Sequence, residues 1–130
     1  MNTVSQPSEL HDDAKLVIDI MNEKEAVQLD FSADSISWLD TYINQHRNDL
    51  GEHDKHILRE KFGAFVGETI LKNYGGHWDK TDNDEWTIVF ENRVETSPFE
   101  MVGEKLNNEA SLTHLYERIP ELFDRNASQN

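Results

Sequence analysis

The chain has 130 residues, 36% of them hydrophobic, with no cysteine and a formal charge of −14 from 26 Asp and Glu against 12 Lys and Arg. That length suits one domain with one modest core, and the lack of cysteine excludes disulfides, thiolate catalysis and cysteine-based zinc sites. A sequence pI near 4.6 and a mean hydropathy of −0.75 argue against direct binding to nucleic acid or an anionic membrane, because both draw their affinity from Lys and Arg.

Met1 to Glu9 carries neither a basic start nor an apolar stretch, so no signal peptide is expected and a cytoplasmic location is the default. No run of about 18 apolar residues is present to cross a membrane. Residues 1–12, with Pro7 and few apolar groups, read as a disordered tail. A single α+β domain is expected over residues 13–124, with a frayed end at 125–130. Leu16, Val17, Ile20 and Met21 form a helical stripe behind Asp12 and Asp13, although Leu16-Val17-Ile18-Asp19-Ile20 also reads as a short strand.

Ser32 followed by Asp34 predicts a helix start: the hydroxyl can accept from an orphan N–H, and the carboxylate suits the positive helix end. Ile36, Leu39 and Ile43 continue as an apolar stripe flanked by Trp38 and Tyr42, to about Asn48. After Gly51 a longer helix carries Ile57, Leu58, Phe62, Phe65, Val66, Ile70, Leu71 and Tyr74. Gly63 and Gly67 share one of its faces, where another backbone could come close. Gly75-Gly76 stop it, one of them taking the left-handed conformation.

The period then changes from helical to alternating. Trp86, Ile88 and Phe90 fall on one side of a strand expected over Glu85–Glu91, pairing with His77-Trp78-Asp79 across the loop Lys80–Asp84. Glu91-Asn92 offers a turn into a third strand, Arg93-Val94-Glu95. Ser97-Pro98-Phe99-Glu100 has the cap, first-position proline and first-turn acid of a helix start, with Phe99, Val102 and Leu106 as its buried stripe. Ser111 or Thr113 opens a last amphipathic piece carrying Leu115, Tyr116, Ile119, Leu122 and Phe123, which Pro120 kinks or breaks. The fold expected is therefore α+β, helices packed on a small antiparallel sheet of two to three strands.

Phe65-Val66-Gly67-Glu68, then Gly75-Gly76-His77-Trp78, a strand and Pro98-Phe99-Glu100-Met101-Val102 together resemble a bacterial family of small domains of unknown function. Its pattern is helix, Gly-Glu, helix, Gly-Gly-x-Trp, strands, Pro-Phe-x-x-Val. The resemblance covers roughly residues 30 to 120, including Phe31-Ser32 before Trp38-Leu39-Asp40. It implies the fold and no activity.

Two functional readings follow. Residues 79–100 hold seven acids, Asp82, Asp84 and Glu85 among them, against Lys80 and Arg93, and Trp78 and Trp86 bracket this hairpin. Aromatic side chains ringed by acids suit a non-enzymatic interaction module, of immunity or regulatory type, whose acidic surface takes a basic protein. The competing explanation packs both tryptophans on the long helix and leaves the acids as a solvated edge that discourages strand pairing. The alternative function is an enzyme or small-ligand site at the junction of Glu68, Gly75, Gly76, His77 and Trp78, with Glu68 as the proton-transfer group.

No nucleophile or second base accompanies Glu68, so no catalytic set is assigned and no cofactor is expected. His53 and His56 share a helix start but lack the His-Glu-x-x-His arrangement, so no metal is expected there. Asp79 to Glu85 lacks the sixth-position glycine of a calcium loop and has Phe90 at the twelfth. Gly63-x-x-x-Gly67 lies inside a helix and cannot cradle phosphate as a helix N-terminus does. The sequence leaves the oligomeric state open.

Overall fold

The computed structural model describes residues 6–108 and 110–128. The order of elements is α1 (Pro7–Glu25), α2 (Ala33–His46), α3 (Glu52–Tyr74), β1 (His77–Lys80), β2 (Trp86–Val89), β3 (Glu95–Thr96), α4 (Pro98–Asn108), α5 (Leu112–Glu117) and α6 (Ile119–Ser128). Helices pack against a three-stranded antiparallel sheet of order β1-β2-β3, the α+β arrangement expected. Among the described residues no helix is long and apolar enough to cross a membrane.

The first correction lies at the N-terminus, where a tail was expected over residues 1–12. Residues 1–5 lie outside the described residues, but the chain is helical from Pro7, and α1 runs through the segment that also read as a strand. Proline at the first helical position costs no hydrogen bond, and Glu9 turns back to accept from the Gln6 N–H at 3.1 Å, which satisfies an otherwise orphan donor. The buried stripe is Leu10, Ala14, Val17 and Met21, while Leu16 is 43% exposed. Leu10 and Ala14 extend the helical period one turn further back than the Leu16-based stripe, and that turn anchors α1 along α3.

Ser32 caps α2, its side chain accepting from the Ser35 N–H, and a 3-10 turn at Arg47–Asp49 leads into α3. Phe62, Phe65, Val66 and Ile70 of α3 are buried in one cluster with Ile36, Leu39, Ile43, Ile88, Val102 and Leu106. Helix α3 ends where the Gly75 N–H reaches the Leu71 carbonyl at 3.1 Å. Gly75 and Gly76 take φ of 84° and 94°, which only glycine adopts without strain.

Gly63 and Gly67 do admit close packing, but of aromatic rings, where a backbone was expected. A Cβ on Gly63 would lie 2.9 Å from Phe99 Cε1, and one on Gly67 would overlap the six-membered ring of Trp78. The rings come from α4 and β1, so the glycine face of α3 is what lets both elements close on it.

Both hairpin turns are alike. Thr81 O accepts from the Asp84 N–H and Phe90 O from the Arg93 N–H, each at 2.9 Å. Asp84 and Arg93 then take φ of 66° and 69°, the left-handed residue that closes a three-residue loop with a bulge. Arg93 is therefore a turn residue, and the third strand is Glu95–Thr96 where Arg93–Glu95 was expected; β2 is likewise shorter than Glu85–Glu91.

Ser97 Oγ accepts from the Glu100 N–H at 3.2 Å to cap α4, and Ser111 accepts from the His114 N–H to cap α5. The last piece breaks at Arg118, before Pro120, into α5 and α6. Helix α6 runs to Ser128 where fraying from residue 125 was expected, and residues 129–130 lie outside the described residues.

Candidate functional site

Two places collect the chemistry anticipated from the sequence. At the first, Glu68 on α3 joins three elements. Its Oε2 accepts from Trp78 Nε1 of β1 at 2.8 Å, and its Oε1 lies 2.7 Å from His11 Nδ1 of α1. Trp78 is 8% exposed, laid against Gly67, edge-on to Trp86 and tilted against Phe99. Glu68 and Trp78 therefore do meet, as the sequence predicts, and His11 is the partner it does not reveal.

The rest of the anticipated junction is dispersed. His77 is exposed and pairs with Val89, with its side chain on the face of β1 opposite Trp78. Gly75 has nothing within 4 Å of a Cβ position, whereas a Cβ on Gly76 would lie 2.9 Å from the Val89 carbonyl oxygen of β2. Each Glu68 oxygen has a protein partner and the Trp78 indole is seated on the helix, so the cluster ties α1, α3 and β1 together.

The second place is an open groove of about 1110 Å³ between the start of α1, the first half of α3, the tip of the β1–β2 hairpin and the start of α4. Glu9, Asp12 and Asp13 come from α1, Glu60 from α3, and Asp84 and Glu85 from the hairpin, facing two permanent cations, Arg59 and Lys61. Leu10, Ile57, Trp86 and Phe99 supply its apolar surface, and Ile57 is 40% exposed. His53 and His56 also line it, His56 Nε2 standing 3.3 Å from Glu60 Oε2. Among the described residues no group of three or more His, Asp or Glu side chains is placed to hold a metal.

Asp84, Glu85 and Trp86 thus share one wall, as the sequence suggests, but Asp82 at the exposed turn lies outside the groove. Trp78 is buried beneath the aromatic cluster, so only Trp86 of the two tryptophans reaches the surface of the groove. The wall that sequence reasoning missed is the first turns of α1. Its signal was present in the Leu10, Ala14, Val17, Met21 spacing and in Pro7 followed by Glu9.

Some of these acids are already engaged: Lys61 Nζ is 3.1 Å from Asp13 Oδ1, and Lys80 Nζ is 3.1 Å from Asp84 Oδ1. Pairs this exposed are weak and exchangeable. The converging carboxylates make the groove a region of negative potential that a low-dielectric wall focuses. The chemistry available is attraction and seating of cations beside aromatic surface. A scan against family models, a search of curated proteins and a search of solved structures each found no match to this chain.

Proposed function

We propose that this protein is a non-enzymatic interaction module, regulatory or of immunity type, whose groove takes a basic segment of another protein. The observation that carries this reading is the convergence of acids from three separate elements, α1, α3 and the hairpin, on one groove that also exposes Ile57 and is lined by the half-buried Trp86. An acidic rim around aromatic and aliphatic surface is complementary to a chain that alternates Arg or Lys with apolar residues. The reading needs no cofactor and no metal. A cytoplasmic setting suits a chain without cysteine, because it has no disulfide that an oxidising compartment would have to form.

The Glu68 cluster supports a structural role instead of a catalytic one. A proton-transfer group needs a substrate within reach, and both carboxylate oxygens are taken by His11 and Trp78.

The test is calorimetric titration with Arg- and Lys-containing peptides at low and physiological salt. Asp12→Lys/Glu85→Lys should weaken binding at least about tenfold, while Glu23→Lys/Asp82→Lys, the same change of net charge at exposed positions outside the groove, should change it less than about threefold. Equal losses in the two variants would reduce the effect to net charge and remove the groove from the account.

A further inference from the structure

The groove wall already holds a cation supplied by the protein itself. Lys80 Nζ lies 3.1 Å from Asp84 Oδ1 and 5.3 Å from the centroid of the Trp86 ring. Asp84 and Trp86 line the groove, whereas Lys80 does not. The pairing is a product of the sheet register: Lys80 stands directly opposite Trp86 across β1 and β2, which puts both side chains on one face, and Asp84 comes back to Lys80 through its left-handed turn. The Lys80 side chain is 29% exposed and that of Asp84 67%, so water screens the pair and neither partner is locked.

We propose that Lys80 is an internal competitor, and that a partner's arginine displaces its ammonium from Asp84 and Trp86. This inference rests on the groove being the seat of a basic segment. Exchanging one ammonium for another leaves the ion pair and the cation–π contact as they were, while the incoming chain still loses conformational freedom. A guanidinium gains more, because it is planar, stacks on an indole face and can bond a carboxylate through two N–H groups at once, with Glu85 adjacent. Lys80 therefore raises the threshold for binding by the same factor for either cation, and the better fit of the guanidinium to Asp84 and Trp86 sets the preference for arginine over lysine.

Calorimetry with an acetylated, amidated nonapeptide carrying two arginines in a Gly/Ser background, beside its lysine and citrulline counterparts, separates the possibilities. Lys80→Ala should tighten the arginine peptide about three- to tenfold, the scale of an exposed cation–π contact with an ion pair. Lys15→Ala, which removes the same charge from an exposed position of α1 outside the groove, should tighten it less than twofold. The arginine-over-lysine preference should persist in Lys80→Ala, because displacement of Lys80 costs both peptides alike, and vanish in Trp86→Leu, and the citrulline peptide should not bind.

Equal tightening in Lys80→Ala and Lys15→Ala, or none in Lys80→Ala while the wild-type protein binds the arginine peptide in a salt-sensitive way, would overturn the competitor and leave the groove reading standing. No binding of the arginine peptide by any of these proteins would overturn both.

Discussion

Lys105 carries its ammonium into the interior with only 3% of the side chain exposed, and its charge is balanced by Asp40 Oδ1 at 2.8 Å. Asn44 Oδ1 accepts a second hydrogen bond at 2.6 Å. The same aspartate holds the start of α5, accepting from the Leu112 N–H at 3.0 Å and from the Thr113 N–H and Ser111 hydroxyl at 3.2 Å. Asp40→Ala strands a buried cation and removes the acceptor of the first two N–H groups of α5, leaving only the Ser111 cap. Breaking one side of a buried pair costs about 3–5 kcal/mol and losing a cap about 1 kcal/mol. Against a total stability of roughly 5–15 kcal/mol, that is about a quarter or more.

In urea, followed by circular dichroism, with a slope of about 2 kcal/mol/M the midpoint should fall by roughly 2–3 M with little change in slope. Lys105→Met alone should cost less, because the Lys105 stem already lies in apolar surroundings and Asp40 keeps its backbone donors. The double variant Asp40→Ala/Lys105→Met leaves no cation stranded, so its loss should fall short of the sum of the two single losses by about 2–3 kcal/mol, within the range measured for residues in contact. A cost below about 1 kcal/mol for Asp40→Ala, or simple additivity in the double variant, would refute the account of a buried, mutually dependent pair.

Burial pushes the Asp40 carboxyl up, but Lys105 and the N–H groups of Leu112 and Thr113 outweigh it, holding the folded value below the ordinary 3.8. Hydrogen bonds from Ser32 and Ser35 lower Asp30 as well. A depressed carboxylate stabilises the fold fully above its unfolded pKa and loses that contribution as pH falls through the folded value. Acid titration of the urea midpoint should therefore show a decline beginning below about pH 5, shallower in Asp40→Asn/Lys105→Met; an equally steep decline would assign the loss to other groups.

Leu10→Ala should cost about 2–5 kcal/mol as a core truncation, and a change within about 0.5 kcal/mol would return the first turn of α1 to a loose tail. Gly67→Ala gains about 1 kcal/mol of helix propensity but drives a methyl into Trp78, which Glu68 holds in place, so a net loss of about 1–2 kcal/mol is expected from thermal unfolding. The half-buried Phe99 ring should yield more easily to Gly63→Ala. A stabilised Gly67→Ala would mean that the indole is free to move. Arg93→Gly relieves a left-handed residue and should stabilise by up to about 1 kcal/mol; a loss would show that the Arg93 side chain contributes more than its backbone strain costs.

The elements that could be read from the sequence are those whose signals lie within a few residues of their effect. Ser32, Ser97 and Ser111 each satisfy an N–H three residues on, Gly75-Gly76 supply positive φ at a helix end, and the alternation at Trp86–Ile88–Phe90 marks the face turned to the core. The first turns of the N-terminal helix were missed because polar side chains at Glu9, His11, Asp12 and Asp13 outweighed a single leucine, and only contact with α3 turns Leu10 into a core residue. The third strand slipped because nothing local indicated that an arginine would accept the left-handed turn position.

By itself the sequence determined the α+β class, the long helix and its glycine stop, the antiparallel hairpin and the acidity of its tip. Tertiary structure alone decided that α1 lies along α3, so that Glu9, Asp12 and Asp13 face Asp84 and Glu85 across one groove, that Glu68 finds His11 57 residues away, and that Lys105 is buried on Asp40. The reason is physical: caps, turns and periodicity act through hydrogen bonds and side-chain spacing over a few residues. Which surfaces meet is set by packing between distant segments, and there each local pattern is compatible with several partners until one close-packed arrangement excludes the rest.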